Sequence, residues 1–546
     1  MRSRKNQEGI ALVTALLLGV VAILLSIAML TYANGSQPLA RNTQNWNAAY
    51  SAAEAGVDDF LYRLTRDPEY WQNTGTPTPT DGNQAFTSFV QVPGTANEAK
   101  FKYTVTQAPN PTTGANIALE VTGKVRNSMR KIRATLRRRG FIDYLYFTEY
   151  EGKDPDLAAD PNQYEQDCSK HWYDSPAPLG SCTLIVFGSN DIIKGPLHSN
   201  DKIWVSGTPS FQGDVSTSWK VPVTTPVTKA YGVSGSASPT FTRPNDPKYA
   251  TPLGMPKSNG ALRNLTDKFV SGQGCLYTGP TKITVRNDGK MDVLSPQTDP
   301  ADLNAGCGTG SAAAGVNSTG LSLPSNGVIY VQNKVAATSS PYYTTNCSMT
   351  GLPVPITGDV ANASSNLNYT CSKGDAFISG ILKGRLTVNA ENRVVVTDDL
   401  TYNTSPTNPA STDFLGLIAN NFVETFHPVQ TCSSGSNCFN GGRNIDLPWN
   451  GNAPLNNLKI HAAILAIDHS FRVQTYDKGE DLGTLTVIGA IAQQYRGIVR
   501  RTTSSFVTGY GKDYNYDNRL KVQSPPHFLD PVQSAWLASS QSELKK

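Results

Sequence analysis

The first 33 residues constrain this chain most. A short polar leader, residues 1–9, carries Arg2, Arg4 and Lys5 and runs into an apolar stretch, residues 10–33, that holds no charge. At about 1.5 Å per residue, a helix of roughly 24 residues spans the ~30 Å core of a bilayer. A basic leader stays cytoplasmic, so the rest of the chain is expected outside, as in a single-pass membrane protein with extracytoplasmic bulk. A secretory signal peptide has a shorter apolar core of about 7–15 residues and a small-residue cleavage site. Residues 28–35 offer no clean site of that kind, although a cut near Asn34 or Gly35 stays an alternative. A plain membrane anchor fits the length and the flanking charges.

A third reading rests on Gly9 and Ile10. This pair resembles the junction at which prepilin peptidase cuts type IV prepilins, after a glycine and ahead of a helix that stays attached. The segment Asn47-Ala-Ala-Tyr-Ser-Ala-Ala-Glu-Ala-Gly resembles the A-x-x-A-A-E-A-G stretch of PilX-like minor pilins. It follows an apolar helix and the Arg/Asn-rich segment around Arg41 and Asn42, as it does there. Ala49, Ala52, Ala53, Val57, Phe60, Leu61 and Leu64 then keep helical spacing. The likeness covers about the first 65 residues.

It implies a type IV pilus assembly protein, a large minor pilin or pseudopilin-like exported protein. Gly9 and Ile10 would be the processing pair. Residues 10–33 would form the assembly helix, with Thr14, Trp46 and Glu54 as the residues to watch. The implied partners are prepilin peptidase, the inner or cytoplasmic membrane before assembly, and other pilin subunits in a filament at the cell surface. Major pilins of this type carry Glu at the fifth mature position, able to pair with a neighbour's terminal amine where an unpaired charge is costly. Counted from Ile10, that position is Thr14. The departure favours a low-copy or tip subunit over the repeating subunit of a fibre, as does the length of 546 residues.

Charged residues make up only 16%, and Gly, Pro, Ser, Thr and Asn are abundant, the composition of an extracellular strand-and-loop protein. The net charge of +4 is small for the length and argues against nucleic acid as main partner. The exception is residues 124–139, where Lys124, Arg126, Arg130, Lys131, Arg133, Arg137, Arg138 and Arg139 interleave with apolar residues. That alternation predicts a half-buried strand with a basic, solvated outer face; a partner, membrane or DNA patch is the alternative.

Eight cysteines, Cys168, Cys182, Cys275, Cys307, Cys347, Cys371, Cys432 and Cys438, all lie on the side expected to be exported. An even count in an oxidising compartment reads as disulfides, and the clustering favours the neighbour pairs 168–182, 275–307, 347–371 and 432–438. No CxxC pair or Cys/His cluster supports a metal.

The expected fold is mainly β with a long N-terminal α-helix. A pilin-like helix and small sheet is expected over residues 34–140 and a connecting segment over 141–182. Over 183–508 short apolar runs end repeatedly in Gly, Asn or Asp, as in Gly384-Arg-Leu-Thr-Val-Asn-Ala and Asn392-Arg-Val-Val-Val-Thr-Asp-Asp-Leu. This pattern suits a right-handed parallel β-helix with inserted loops, with a β-sandwich as the alternative. Residues 509–546, rich in Tyr and Asp at first, are expected to form a cap and tail.

No catalytic set stands out. The histidines show no HExxH spacing, and GxSxG, P-loop and dinucleotide fingerprints are missing. Asp398, Asp399 and Asp191 read as turn residues rather than a groove carboxylate pair. No cofactor and no metal is expected, and the chain reads as structural rather than enzymatic. A surface glycan or other cell-surface ligand is a candidate partner of the displayed part. The rival reading is a membrane-anchored extracellular β-helical protein that binds or degrades polysaccharide.

Overall fold

The computed structural model describes residues 8–67, 69–72, 84–95, 98–110, 116–189, 191–220, 229–244, 246–311, 314–334, 349–354, 369–408, 410–430, 445–446, 455–503, 506–532 and 536–544. The molecule is mainly β with a long N-terminal helix, and its contacts divide it into two units. The first takes residues 1–108, 116–137 and 536–546, and the second takes 109–115 and 138–535.

In the first unit a single helix, α1 (Glu8–Arg66), runs for 59 residues. From Ala49 onward its small and apolar positions recur every three or four residues. Ala49, Ala52, Ala53, Val57, Phe60 and Leu64 are buried in one stripe. That stripe lies on an antiparallel sheet of β1 (Val90–Gln91), β2 (Ala99–Gln107), β3 (Ile117–Val125) and β4 (Ser128–Arg138). Alternation explains the sheet: Ile117, Leu119, Val121 and Val125 of β3 and Ile132, Ala134 and Leu136 of β4 are buried, and their neighbours, Arg137 excepted, are more exposed. A two-residue turn joins β3 to β4, and Arg126 takes φ 51° there, the left-handed conformation that tight hairpins need. Tyr70, Phe86 and Tyr103 pack edge-on around Phe60 and close the core.

A fifth strand, Trp536–Glu543, lies beside β4. The expected cap and tail, residues 509–546, is divided between the two units. The strand Val507–Tyr516 belongs to the second unit, and its alternating Tyr510, Tyr514 and Tyr516 are buried there, whereas Trp536–Glu543 completes the sheet of the first unit.

The second unit is built on parallel ladders. One joins ten strands in the order Cys275–Thr278, Val328–Gln332, Arg385–Ala390, Phe414–Ala419, Lys459–Ala466, Asp481–Tyr495, Tyr146–Tyr150, Leu197–Ser199, Val215–Thr217 and Lys248–Tyr249. A second joins Thr281–Val285, Ala376–Leu382, Val394–Tyr402, Val423–Thr425 and Phe471–Val473. A third runs from Asp481–Tyr495 through Val507–Tyr516, Ile192–Lys194 and Ser210–Phe211 to Thr240–Phe241.

Register stacks like on like. Cys275, Ile329, Val388, Leu417, Ile464, Ile491, Tyr146, Leu197 and Val215 form one buried file along the first ladder. Each side chain thus buries apolar surface on the next, at about 25 cal/mol per Å² removed from water. Within the expected connecting segment, 141–182, Tyr146–Tyr150 sits inside this ladder between Asp481–Tyr495 and Leu197–Ser199.

Candidate assembly surface

Among the described residues, the upper half of α1 is uncovered. Every residue from Ala11 to Tyr32 whose side chain is described is exposed, Leu17 at 60% and Tyr32 at 81%. Among the described residues, α1 is the one helix long and apolar enough to cross a membrane. Gly9 and Ile10 lie in its first turns. Thr14 is exposed, and its hydroxyl donates to the Ala11 carbonyl at 3.0 Å, satisfying within the helix a group that apolar surroundings would penalise.

Trp46 and Tyr50 mark where the bare half of α1 gives way to the half seated on the sheet. Arg130 of β4 lies across both rings, 5.1 Å from the Trp46 centroid and 4.5 Å from Tyr50. The same guanidinium meets Glu543 of the returning strand in a two-pronged pair, with Nε donating to Oε1 at 2.5 Å and Nη2 donating to Oε2. Those hydrogen bonds raise the Arg130 pKa and lower that of Glu543. Glu54 is half-buried on α1, and its charge adds to the same effect on Arg130. A recess lined by Trp46, Thr122, Met129, Lys131 and Leu544 surrounds this pair.

Part of the basic strand is paired with carboxylates. Glu120 takes both Lys131, at 3.3 Å, and Arg133, at 2.5 Å, and its pKa is lowered first by the Arg133 hydrogen bond. Arg126 pairs with Glu98 at 2.8 Å, and Lys124 lies over the Phe89 ring. The contacts of Arg130 were not readable in the sequence: Glu543 is 413 residues away, and no local pattern links them.

In the second unit, Cys168 is bonded to Cys182 and Cys275 to Cys307. Cys371 is also disulfide-bonded, whereas Cys347, Cys432 and Cys438 lie outside the described residues, so the pairs 347–371 and 432–438 cannot be placed. The carboxylates considered for chemistry have structural partners. Asp191 pairs with Lys512 at 2.9 Å, and Asp399 accepts the Lys459 amide at 2.8 Å. Asp398 and Asp399 sit inside the strand Val394–Tyr402, near a register shift, rather than in a turn beyond it. Among the described residues, no group of three His, Cys, Asp or Glu side chains is placed to hold a metal.

No protein-family model matches the chain, and no curated protein matches it by sequence. Among solved structures, the competence-associated pilin ComZ from Thermus thermophilus is similar over 92% of this chain and 97% of its own, at 10% identity and a TM-score of 0.25.

Proposed function

We propose that the chain is a minor, tip-placed subunit of a type IV pilus or a related secretion pseudopilus, with a structural rather than enzymatic role. The observation that carries this reading is α1 itself. One continuous helix is buried on its own sheet from Ala49 onward and is bare, apolar and uncharged from Ala11 to Tyr32. Such a surface needs lipid or other apolar helices as its solvent, and a pilin meets both in turn. Prepilin peptidase cuts between Gly9 and Ile10, and the apolar half waits in the cytoplasmic membrane. It then exchanges lipid contacts for those of neighbouring pilin subunits. Thr14 brings no carboxylate to the packed helices, which suits a subunit that starts or ends a filament rather than repeating in it.

The second unit is, on this reading, a right-handed parallel β-helix displayed outside the cell, where it meets a surface glycan or another cell-surface ligand. Its parallel ladders support a coil, since a sandwich is built from antiparallel sheets. The pairing of Asp191 and Asp399 with cations and amides supports a structural role for these carboxylates.

The test is the mature N-terminus of the native protein by mass spectrometry. A chain beginning at Ile10 supports prepilin processing. A start at Met1 or Arg2 makes it a plain membrane anchor, and a start near Asn34 or Gly35 makes it a secreted protein and ends the assembly reading.

A further inference from the structure

On the footing of that reading, we propose that residues 536–544 are a latch whose docking on β4 seats α1 and makes filament entry wait for the second unit. The chain leaves the first unit after Arg137, runs through residues 138–535 of the second unit, and only then supplies the strand Trp536–Glu543. Until that strand arrives, β4 is an open edge with unpaired backbone groups.

Three contacts close the edge. Strand pairing places Trp536–Glu543 beside β4, and Leu544 donates its amide to the Lys131 carbonyl at 2.9 Å. Ser539 donates its hydroxyl to the Thr135 carbonyl at 3.1 Å. Glu543 holds Arg130 through both carboxylate oxygens. Trp536 and Ala538 also cover the apolar core beneath.

Arg130 transmits the closure. Its guanidinium lies on Trp46 and Tyr50, where the bare half of α1 begins. Docking of Glu543 therefore fixes the side chain that fixes the helix at its exit from the sheet. An undocked latch leaves that exit loose, and a helix with a loose base packs poorly among neighbours. The same open edge accepts a strand supplied from outside, by the hydrogen bonding that adds a strand to any exposed sheet edge.

The experiment compares the intact chain, a chain ending at Val532, that shortened chain with a synthetic peptide of residues 533–546, and the full chain with Glu543→Lys. Hydrogen exchange is read in β4 and in the ladder strands of the second unit, and filament incorporation is read in cells. The shortened chain is expected to exchange about ten-fold faster in β4, with second-unit exchange and the 168–182 and 275–307 disulfides unchanged. Its incorporation falls about ten-fold, the peptide restores β4 protection, and Glu543→Lys gives a partial loss of about three-fold in both readouts. Equal β4 protection with and without the strand, or incorporation of the shortened chain at the intact level, overturns the latch. If the shortened chain does not fold, Glu543→Lys decides by the same readouts, and no change in either of them overturns it. An intact chain that never enters filaments overturns the assembly reading instead, and the licensing step falls with it.

Discussion

A Cβ atom on Gly123 would stand 2.0 Å from the carbonyl oxygen of Ala49 and 2.4 Å from the amide nitrogen of Ala53. The backbone of α1 therefore rests directly on β3 with no side chain between them. Gly56 repeats the arrangement from the helix side, where a Cβ would meet Val121 at 2.6 Å and Phe101 at 2.9 Å. Neither obstacle at Gly123 is a movable side-chain tip, so Gly123→Ala must lift the helix. The expected cost is about 3 kcal/mol in the first unit alone. Hydrogen exchange of α1 residues 49–64 in detergent-solubilised protein measures it. Unchanged protection of those residues would show that the helix does not lie as close as described.

Part of this layout was legible in the sequence. The stripe from Ala49 to Leu64 has helical spacing, and β3 and most of β4 alternate, because each of these elements buries one face against a neighbour close in the chain. The returning strand was not legible. Trp536-Leu-Ala-Ser-Ser-Gln-Ser-Glu is half-exposed at a sheet edge, so burial imposes no period on it. The place of Tyr146–Tyr150 was hidden for another reason. The Tyr146 hydroxyl accepts from Gln493, 347 residues away, and one of its two ladder neighbours, Asp481–Tyr495, is equally remote, so no local repeat announces it. Among the candidate site residues, Trp46 was visible as an aromatic next to a small-residue helix, but its partner Arg130 looked like one of many surface cations.

Arg496 and Glu151 form a pair buried almost completely, with Nη1 donating to Oε2 at 2.8 Å, and the guanidinium lies 3.4 Å from the Phe187 ring centroid. Removing one member strands the other charge in a low-dielectric core. Arg496→Met is expected to destabilise the second unit by about 3–5 kcal/mol, and adding Glu151→Leu should recover most of that loss. Urea unfolding of the single and double variants tests it. A double variant no more stable than Arg496→Met would mean that Glu151 was not the group left uncompensated.

The Cys275–Cys307 bond closes a loop 32 residues apart in sequence, and its Sγ atoms sit beside the first strand of the long ladder. By loop-closure entropy, replacing both cysteines with Ala should cost about 3–4 kcal/mol, and the same change at Cys168 and Cys182, 14 apart, slightly less. Thermal unfolding of the two double variants ranks them. A larger loss at 168–182 would show that strain or packing, rather than chain entropy, governs these bonds.

His198 is fully buried in the long ladder, where Nδ1 meets the Ser216 hydroxyl at 2.9 Å and Nε2 meets Asn200 Oδ1 at 3.1 Å. Tyr144 and Phe147 lie against its ring, and the same Asn200 donates to Glu149. Burial pushes its pKa down to about 4, helped by the positive charge of Arg139. The unfolded chain, with an ordinary histidine near 6.5, thus binds a proton over a range where the folded chain does not. Stability is therefore complete above about pH 6.5 and falls as the pH drops toward 4, by at most about 3 kcal/mol from this group. His461, also held near 4 by burial, adds a step of the same sign in the same window. His198→Gln keeps a hydrogen-bonding side chain that cannot titrate. The difference in urea midpoint between parent and variant should therefore widen steadily as the pH falls from 7 to 5, in favour of the variant. A difference that stays constant across that range would mean that His198 titrates alike in the folded and unfolded chains, and would overturn the neutral, hydrogen-bonded role given to it here.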